Sequence, residues 1–324
     1  MFDIISYILL PIGFVLLIKG ADLLVDGASS IAKRLGISSL VIGLTVVAFG
    51  TSMPELIVNI FAGLQGNTDL AIANILGSNI ANILLILGVS AAIFPLAVKK
   101  GTVWREIPLS LLAVIVLALL VNDVVIDKIA PSELTRIDGF VLLSFFIVFL
   151  YYIFGTSKTE ESKEETAIRE QSFLKSFLLV AGGFIGLALG GKLIVDSAVS
   201  IASSLGVSQA LIGLTVVAIG TSLPELATSA VAAFKKNPDI AVGNIVGSNI
   251  FNIFWILGIS AIISPLPFSP ALMRDVWVVL AVTIVLFAFM FIGKKHILKR
   301  WQGVVFILAY ITYIVVIVGQ EIIK

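Results

Sequence analysis

Apolar stretches of about 20 residues recur along almost the whole chain, separated by short clusters of Gly, Pro, Asn, Asp and Lys that read as turns. As a helix, each stretch is long enough to cross a hydrocarbon core of about 30 Å. The pattern predicts ten spans, near 5–31, 38–64, 70–96, 104–122, 137–155, 173–203, 208–234, 240–265, 274–293 and 302–320. Between the fifth and sixth, the segment from Ser157 to Gln171 is dense in charge and too short to fold alone, and it is expected to be a solvated linker. The expected fold class is an all-α polytopic membrane protein.

Self-comparison adds the organisation. Adding 170 to a residue number maps the first half onto the second without a gap, taking Gly20 to Gly190, Asp26 to Asp196, Gly36 to Gly206 and Pro95 to Pro265. The segments IGLTVVAFGTSMPEL from Ile42 and IGLTVVAIGTSLPEL from Ile212 differ only at Phe49/Ile219 and Met53/Leu223. A second matched block reads NILGSNIANI from Asn74 and NIVGSNIFNI from Asn244. Each copy holds five predicted spans, and an odd number makes the second copy enter the membrane from the opposite face. Two inverted-topology five-helix repeats are therefore expected, 1–156 (repeated motif 43–83) and 173–324 (repeated motif 213–253), joined by the linker 157–172. Secondary transporters are commonly built this way, with the substrate site near the midplane where interrupted helices of the two halves meet.

Composition strengthens the membrane reading, because 59% of residues are hydrophobic and 13% charged, against about 45–50% and 25% in soluble domains. A net charge of +1 provides no basic surplus for nucleic acid. The absence of cysteine excludes disulfides, thiolate metal ligands and a cysteine nucleophile. His296, the one histidine, sits among Lys294, Lys295, Lys299 and Arg300, so a hydrolytic triad lacks its base within the membrane. Lys33, Arg34, Lys99, Lys100, Lys235, Lys236 and the cluster around His296 fall on one side of the predicted spans. Only Lys128, Arg136, Arg274 and Lys324 fall on the other. By the positive-inside rule the first side is cytoplasmic, which expects a multi-pass cell-membrane protein with both termini outside and the linker in the cytoplasm. Met1 to Asp3 carries no basic region ahead of the first span, so no cleaved signal peptide is expected.

The candidate chemistry lies where polar residues interrupt hydrocarbon. Glu55 and Glu225 sit well inside the second and seventh spans, where an ionised side chain costs about 2.5–3.5 kcal/mol and calls for a partner, a cavity or an ion. Two facing carboxylates repel unless a proton or cation lies between them. Thr51 and Ser52 precede Glu55 by four and three residues and so share its side of a helix, and Thr221 and Ser222 stand likewise to Glu225. Pro54 and Pro224 withhold an amide proton from the carbonyls of Gly50 and Gly220, so each helix is expected to break there and turn carbonyl oxygens inward. The third and eighth spans carry stripes at four-residue spacing, Asn74, Ser78 and Asn82, and Asn244, Ser248 and Asn252. Gly77 and Gly247 beside the serines would let the glutamate helices approach. Oxygen-only donors suit Ca²⁺ or Na⁺ rather than zinc, copper or iron, and Mg²⁺ is the weaker candidate. No resident cofactor is called for. Elsewhere, Lys19 with Asp22 and Lys192 with Asp196 are expected to pair, and Asn67 and Asn237 to cap the helices ahead of Asp69 and Asp239. An intramembrane enzyme using the two glutamates as acid and base is disfavoured, because the duplication gives both the same surroundings.

GTSMPEL and GTSLPEL, each followed by GSNIxNI, resemble the two alpha-repeats of the sodium/calcium exchanger family within the calcium/cation antiporter superfamily. The resemblance spans nearly the whole chain. It implies ten helices in two inverted halves around four central ion sites, with the first and sixth helices sliding across a fixed core. It also implies that Glu55, Glu225, Thr51, Ser52, Thr221, Ser222, Ser78, Ser248, Asn82 and Asn252 line those sites, joined by the carbonyls of Ala48 and Ala218. The implied function is electrogenic exchange of sodium for calcium across the cell membrane, with those ions and the bilayer as partners and no protein partner evident. A calcium/proton antiporter of the same superfamily and a passive cation channel are the alternatives. Asn252 departs from the aspartate of the potassium-dependent branch and argues against potassium co-transport. The Thr-Ser pairs depart from the calcium/proton branch, which has asparagine there. In place of the large regulatory domain of animal exchangers the chain has only its short linker.

Overall fold

A computed structural model describes residues 4–126, 128, 132–156, 171–205 and 218–323. Among them, eight helices are long and apolar enough to cross a membrane. In chain order the helices are α1 (Ile4–Leu35), α2 (Ser39–Thr51), α3 (Met53–Leu64), α4 (Thr68–Ile93), α5 (Lys100–Leu120) and α6 (Arg136–Thr156). They continue with α7 (Phe173–Ser204), α8 (Leu223–Phe234), α9 (Pro238–Ile263), α10 (Pro270–Phe289) and α11 (Arg300–Ile323). α2 and α3 meet at a 44° bend and are long and apolar enough to cross only when taken together. The short helix α8 follows a helical turn, Ala218–Gly220. The rest of the predicted seventh span, 208–217, and the linker residues 157–170 lie outside the described residues.

Helices start and stop close to the predicted limits, with one instructive overrun. The third and eighth spans were expected to reach 96 and 265, but α4 and α9 end at Ile93 and Ile263. Phe94 and Ser264 turn to extended backbone there, because the residue before a proline is pushed out of the helical region by Pro95 and Pro265. The freed chain forms short strands. β1 (Leu96–Ala97) pairs with β4 (Ile297–Leu298), and β2 (Glu133–Leu134) pairs with β3 (Leu266–Pro267).

These pairings also refine the repeat. The offset of 170 carries β1 onto β3, but β2 maps onto β4, and Arg136 onto Arg300, at 164. The Thr135 N–H donates to Asp138 at 2.8 Å, and at the same offset the Lys299 N–H donates to Gln302 at 2.7 Å. The first copy is thus six residues longer between its third and fifth spans (170 − 164). Contacts gather the loops at two ends. Lys99 with Asp239 (2.7 Å) and Arg34 with the Gln171 carbonyl (2.9 Å) join β1 and β4 at one end. Arg136 with the Ile262 carbonyl (3.1 Å) joins β2 and β3 at the other.

α4 and α9 are the most buried spans, while the outer helices bury one face and expose Leu, Ile, Val and Phe on the other. The repeat-mated helices α1 and α7 pack antiparallel through glycine. Gly13 meets Gly190, Gly20 meets Gly183 to Leu187, and Gly27 meets Ser176 and Val180. A Cβ at Gly20 would lie 2.6 Å from the Leu187 nitrogen, and one at Gly190 2.5 Å from that of Leu17, so the two backbones are in direct contact.

Candidate functional site

Each broken helix sets its glutamate at a new helix N-terminus. Ser52 leaves helical geometry (φ −84°, ψ 7°), α3 restarts at Met53 with Pro54 in its first positions, and Glu55 falls in the first turn. Ser222 (φ −86°, ψ 3°), Pro224 and Glu225 repeat this at the start of α8. First-turn N–H groups and the helix dipole favour a carboxylate there. Both side chains are 1% exposed.

Hydroxyls reach each carboxylate from both copies. Ser78 on α4 donates to Glu55 Oε1 at 3.4 Å, and Ser222 of the second copy lies 3.5 Å from the same oxygen and 3.3 Å from Ser78 Oγ. Ser248 on α9 donates to Glu225 Oε1 at 3.5 Å, and Ser52 of the first copy does so at 3.0 Å. Thr51 donates to Asn244 at 3.0 Å and Thr221 to Asn74 at 3.4 Å, so the threonines also cross between copies. Asn74 donates in turn to Asn59 (2.8 Å), and Asn244 to Ser229 (3.0 Å). Asn82 and Asn252 donate to Asn249 and Asn79 respectively, each at 2.9 Å.

Of the predicted ion-site residues, four then keep a buried oxygen with no hydrogen-bond partner among the described residues: Glu55 Oε2, Glu225 Oε2, Asn82 Oδ1 and Asn252 Oδ1. All four are acceptors, and they form two pairs related by the repeat. An unsatisfied buried acceptor costs about 1–3 kcal/mol, more if charged. A hard cation held among them would remove that cost, and no nitrogen or sulfur donor stands in the set. No third acidic side chain joins the two glutamates among the described residues.

Hydrogen bonds thus link the predicted carboxylates with serines of both copies and separately tie Asn82 and Asn252 across the copies, with two qualifications. The Ala48 carbonyl already accepts from the Ser52 N–H (3.0 Å) and the Thr51 hydroxyl (3.4 Å). Ala218 opens the matching turn, but its side chain lies outside the described residues. Sequence reasoning passed over Asn79, Asn249, Asn59 and Ser229. The first two lie within the matched blocks, but the four-residue stripe through Asn74, Ser78 and Asn82 drew the eye past them. Hydropathy also gave no sign of three π-helical segments among the described residues, Gly43–Val47, Asn82–Ile86 and Phe251–Leu257. Two of them begin at or beside the unpartnered asparagines, and such segments are frequent at functional sites.

Other polar expectations are corrected. Asp22 pairs with Lys235 (2.7 Å) instead of Lys19, because Asp22 and Asp26 lie one turn apart and Lys235 at the end of α8 reaches both, Asp26 at 2.6 Å. Lys192 and Asp196 do pair, at 2.9 Å. Asn237 caps α9 by accepting from the Ile240 N–H, whereas Asn67 makes no side-chain cap to α4. Asp239 is held in a buried ion pair with Lys99. Glu106 and Asp275, near the starts of α5 and α10, accept from Tyr152 (2.5 Å) and Tyr313 (3.2 Å) and pin the last helix of each copy.

Comparison with known proteins identifies the lineage of this architecture. The sodium/calcium exchanger protein family matches residues 5–155 and 175–319. Inner membrane protein YrbG of Escherichia coli (strain K12) is 39% identical over 287 residues, covering 86% of each chain. Sodium/calcium exchanger MaX1 of Methanosarcina acetivorans is 32% identical over 346 residues, covering 97% of this chain and 98% of its own. The structure of the sodium-calcium exchanger NCX_Mj soaked with Na⁺ and Sr²⁺ superposes with a TM-score of 0.83 at 35% identity, covering 97% of this chain and 98% of that one. A match across both halves, carried by sequence and by fold, establishes that the chain belongs to the sodium/calcium exchanger protein family.

Proposed function

We propose that this antiporter exchanges sodium for calcium across the cell membrane by alternating access. Its transported ions occupy the cage formed by Glu55, Glu225, Ser52, Ser222, Ser78, Ser248, Asn82 and Asn252, with Thr51 and Thr221 at its edge and the carbonyls of Ala48 and Ala218 beside it. The observation that carries the reading is the set of four buried, unpartnered acceptor oxygens contributed equally by the two copies. Ten helices in two inverted repeats, 1–156 and 173–324, fit the antiparallel packing of the mated helices α1 and α7. The linker 157–172 and the basic loops are assigned to the cytoplasm, and both termini to the outside.

Charge counting says what electrogenic exchange requires, a third sodium ion bound beside the two that the glutamates neutralise. Two carboxylates neutralise one calcium ion or two sodium ions, and a third sodium ion leaves the loaded carrier positive. The deciding experiment uses vesicles containing the purified protein. An outward sodium gradient is expected to drive calcium uptake, and Glu55→Gln or Glu225→Gln to abolish it, because each keeps the volume and removes a charge that a divalent ion needs. Equal uptake without sodium, or under a proton gradient alone, overturns sodium coupling. Robust uptake in either variant overturns the site.

A further inference from the structure

A cation-binding asparagine has a problem that aspartate does not. Its amide ends are nearly identical in shape, yet one presents a carbonyl oxygen that attracts a cation and the other an NH₂ group that repels it. Burial alone does not choose between them. At Asn82 and Asn252 the choice is made by a hydrogen bond donated to the opposite copy. Asn82 Nδ2 donates to Asn249 Oδ1, and Asn252 Nδ2 to Asn79 Oδ1, each at 2.9 Å. The Asn79 amide is itself fixed, because its Nδ2 donates to the Asn249 backbone carbonyl at 3.4 Å and so turns its Oδ1 toward Asn252. Asn79 and Asn249 are buried on the central helices α4 and α9, and the Oδ1 atoms that these bonds leave free on Asn82 and Asn252 are buried and unpartnered.

We infer that Asn79 and Asn249 are positioning residues that aim the carbonyl oxygens of Asn252 and Asn82 at the transported cation and hold their NH₂ groups away from it. They take no part in coordination themselves. Their effect falls on cation affinity more than on the rate of the conformational cycle. This inference rests on the reading of the cage as the ion site, and its test separates the two.

Calcium binding by the purified full chain is measured at equilibrium, together with the calcium dependence of sodium-driven uptake in vesicles. Asn79→Leu keeps the volume and removes the acceptor, so Asn252 is free to turn. Calcium affinity is expected to fall about tenfold, the scale of one lost hydrogen bond, with maximal uptake largely retained. The decisive measurement repeats Asn79→Leu in an Asn252→Asp background, where the two oxygens of the carboxylate are equivalent and need no aiming. There the same substitution should change affinity by less than about twofold, a non-additivity that separate packing effects do not produce. The mirrored pair, Asn249→Leu with and without Asn82→Asp, gives the same test should one variant fail to fold. Equal losses in both backgrounds, or no loss in either, overturn the inference while leaving the cage intact. Unchanged calcium affinity in Asn252→Leu overturns the cage itself, and the inference with it.

Discussion

Serine hydroxyls from two copies converge on each glutamate, but the two sides are not equal. Ser52 lies 3.0 Å from Glu225, whereas Ser222 lies 3.5 Å from Glu55 and shares its one proton with Ser78. Ser52→Ala is therefore expected to weaken calcium binding more than Ser222→Ala does, by about tenfold if the bond to a charged acceptor carries its usual weight. Binding titrations on the two variants check the order, and a larger loss in Ser222→Ala would contradict the geometry. At this scale the chain states its chemistry plainly, because a glutamate, serine or asparagine inside hydrocarbon is conspicuous against its neighbours. What spacing along one helix does not reveal is a partner on another. That is why the pairing of Lys235 with Asp22, and the roles of Asn79 and Asn249, emerge only once helices are set side by side.

Where elements meet, two kinds of contact differ sharply in what they tolerate. The α1–α7 seam allows no Cβ at Gly20 or Gly190, since each would fall within 2.6 Å of opposing backbone. Gly20→Leu must separate the two helices, and a loss of about 1–3 kcal/mol or more is expected as a lowered thermal midpoint in detergent. The ion pairs separate by burial. Lys99→Met removes the ion-pair partner of the nearly buried Asp239 and is expected to cost more than about 1 kcal/mol, whereas Lys192→Met affects an exposed pair and should cost less than that. Comparable midpoints for the two variants would refute the ranking. Breaks at Pro54 and Pro224 are legible from sequence because proline deletes a donor at a known offset. The π-helical turns are not, because a one-residue shift in backbone hydrogen bonding leaves hydropathy unchanged.

Seen whole, the molecule sorts its loops onto two ends in the order the basic residues imply, and this is open to labelling because the chain has no cysteine of its own. Single cysteines at the exposed positions Lys100 and Lys236 are expected to react from the cytoplasmic face, and those at Gln65 and Ala271 from the outer face. Labelling of Gln65→Cys and Lys100→Cys from the same side would refute the span order. The copies are also not posed alike. Phe184 of α7 covers Gly50 at the first break, yet Gly220 at the second is covered by Val195, again from α7, and not by Phe14, the repeat mate of Phe184. The crossing of hydroxyls between copies carries a consequence for origin. Glu55 draws on Ser222 as well as on Ser78, and Glu225 on Ser52 as well as on Ser248, so half the chain holds a carboxylate but lacks one of the two serines that serve it. An ancestor of half the length could have completed such a site only as a dimer of two identical subunits inserted upside down to one another. Fusing the two genes would then have fixed both orientations in a single polypeptide.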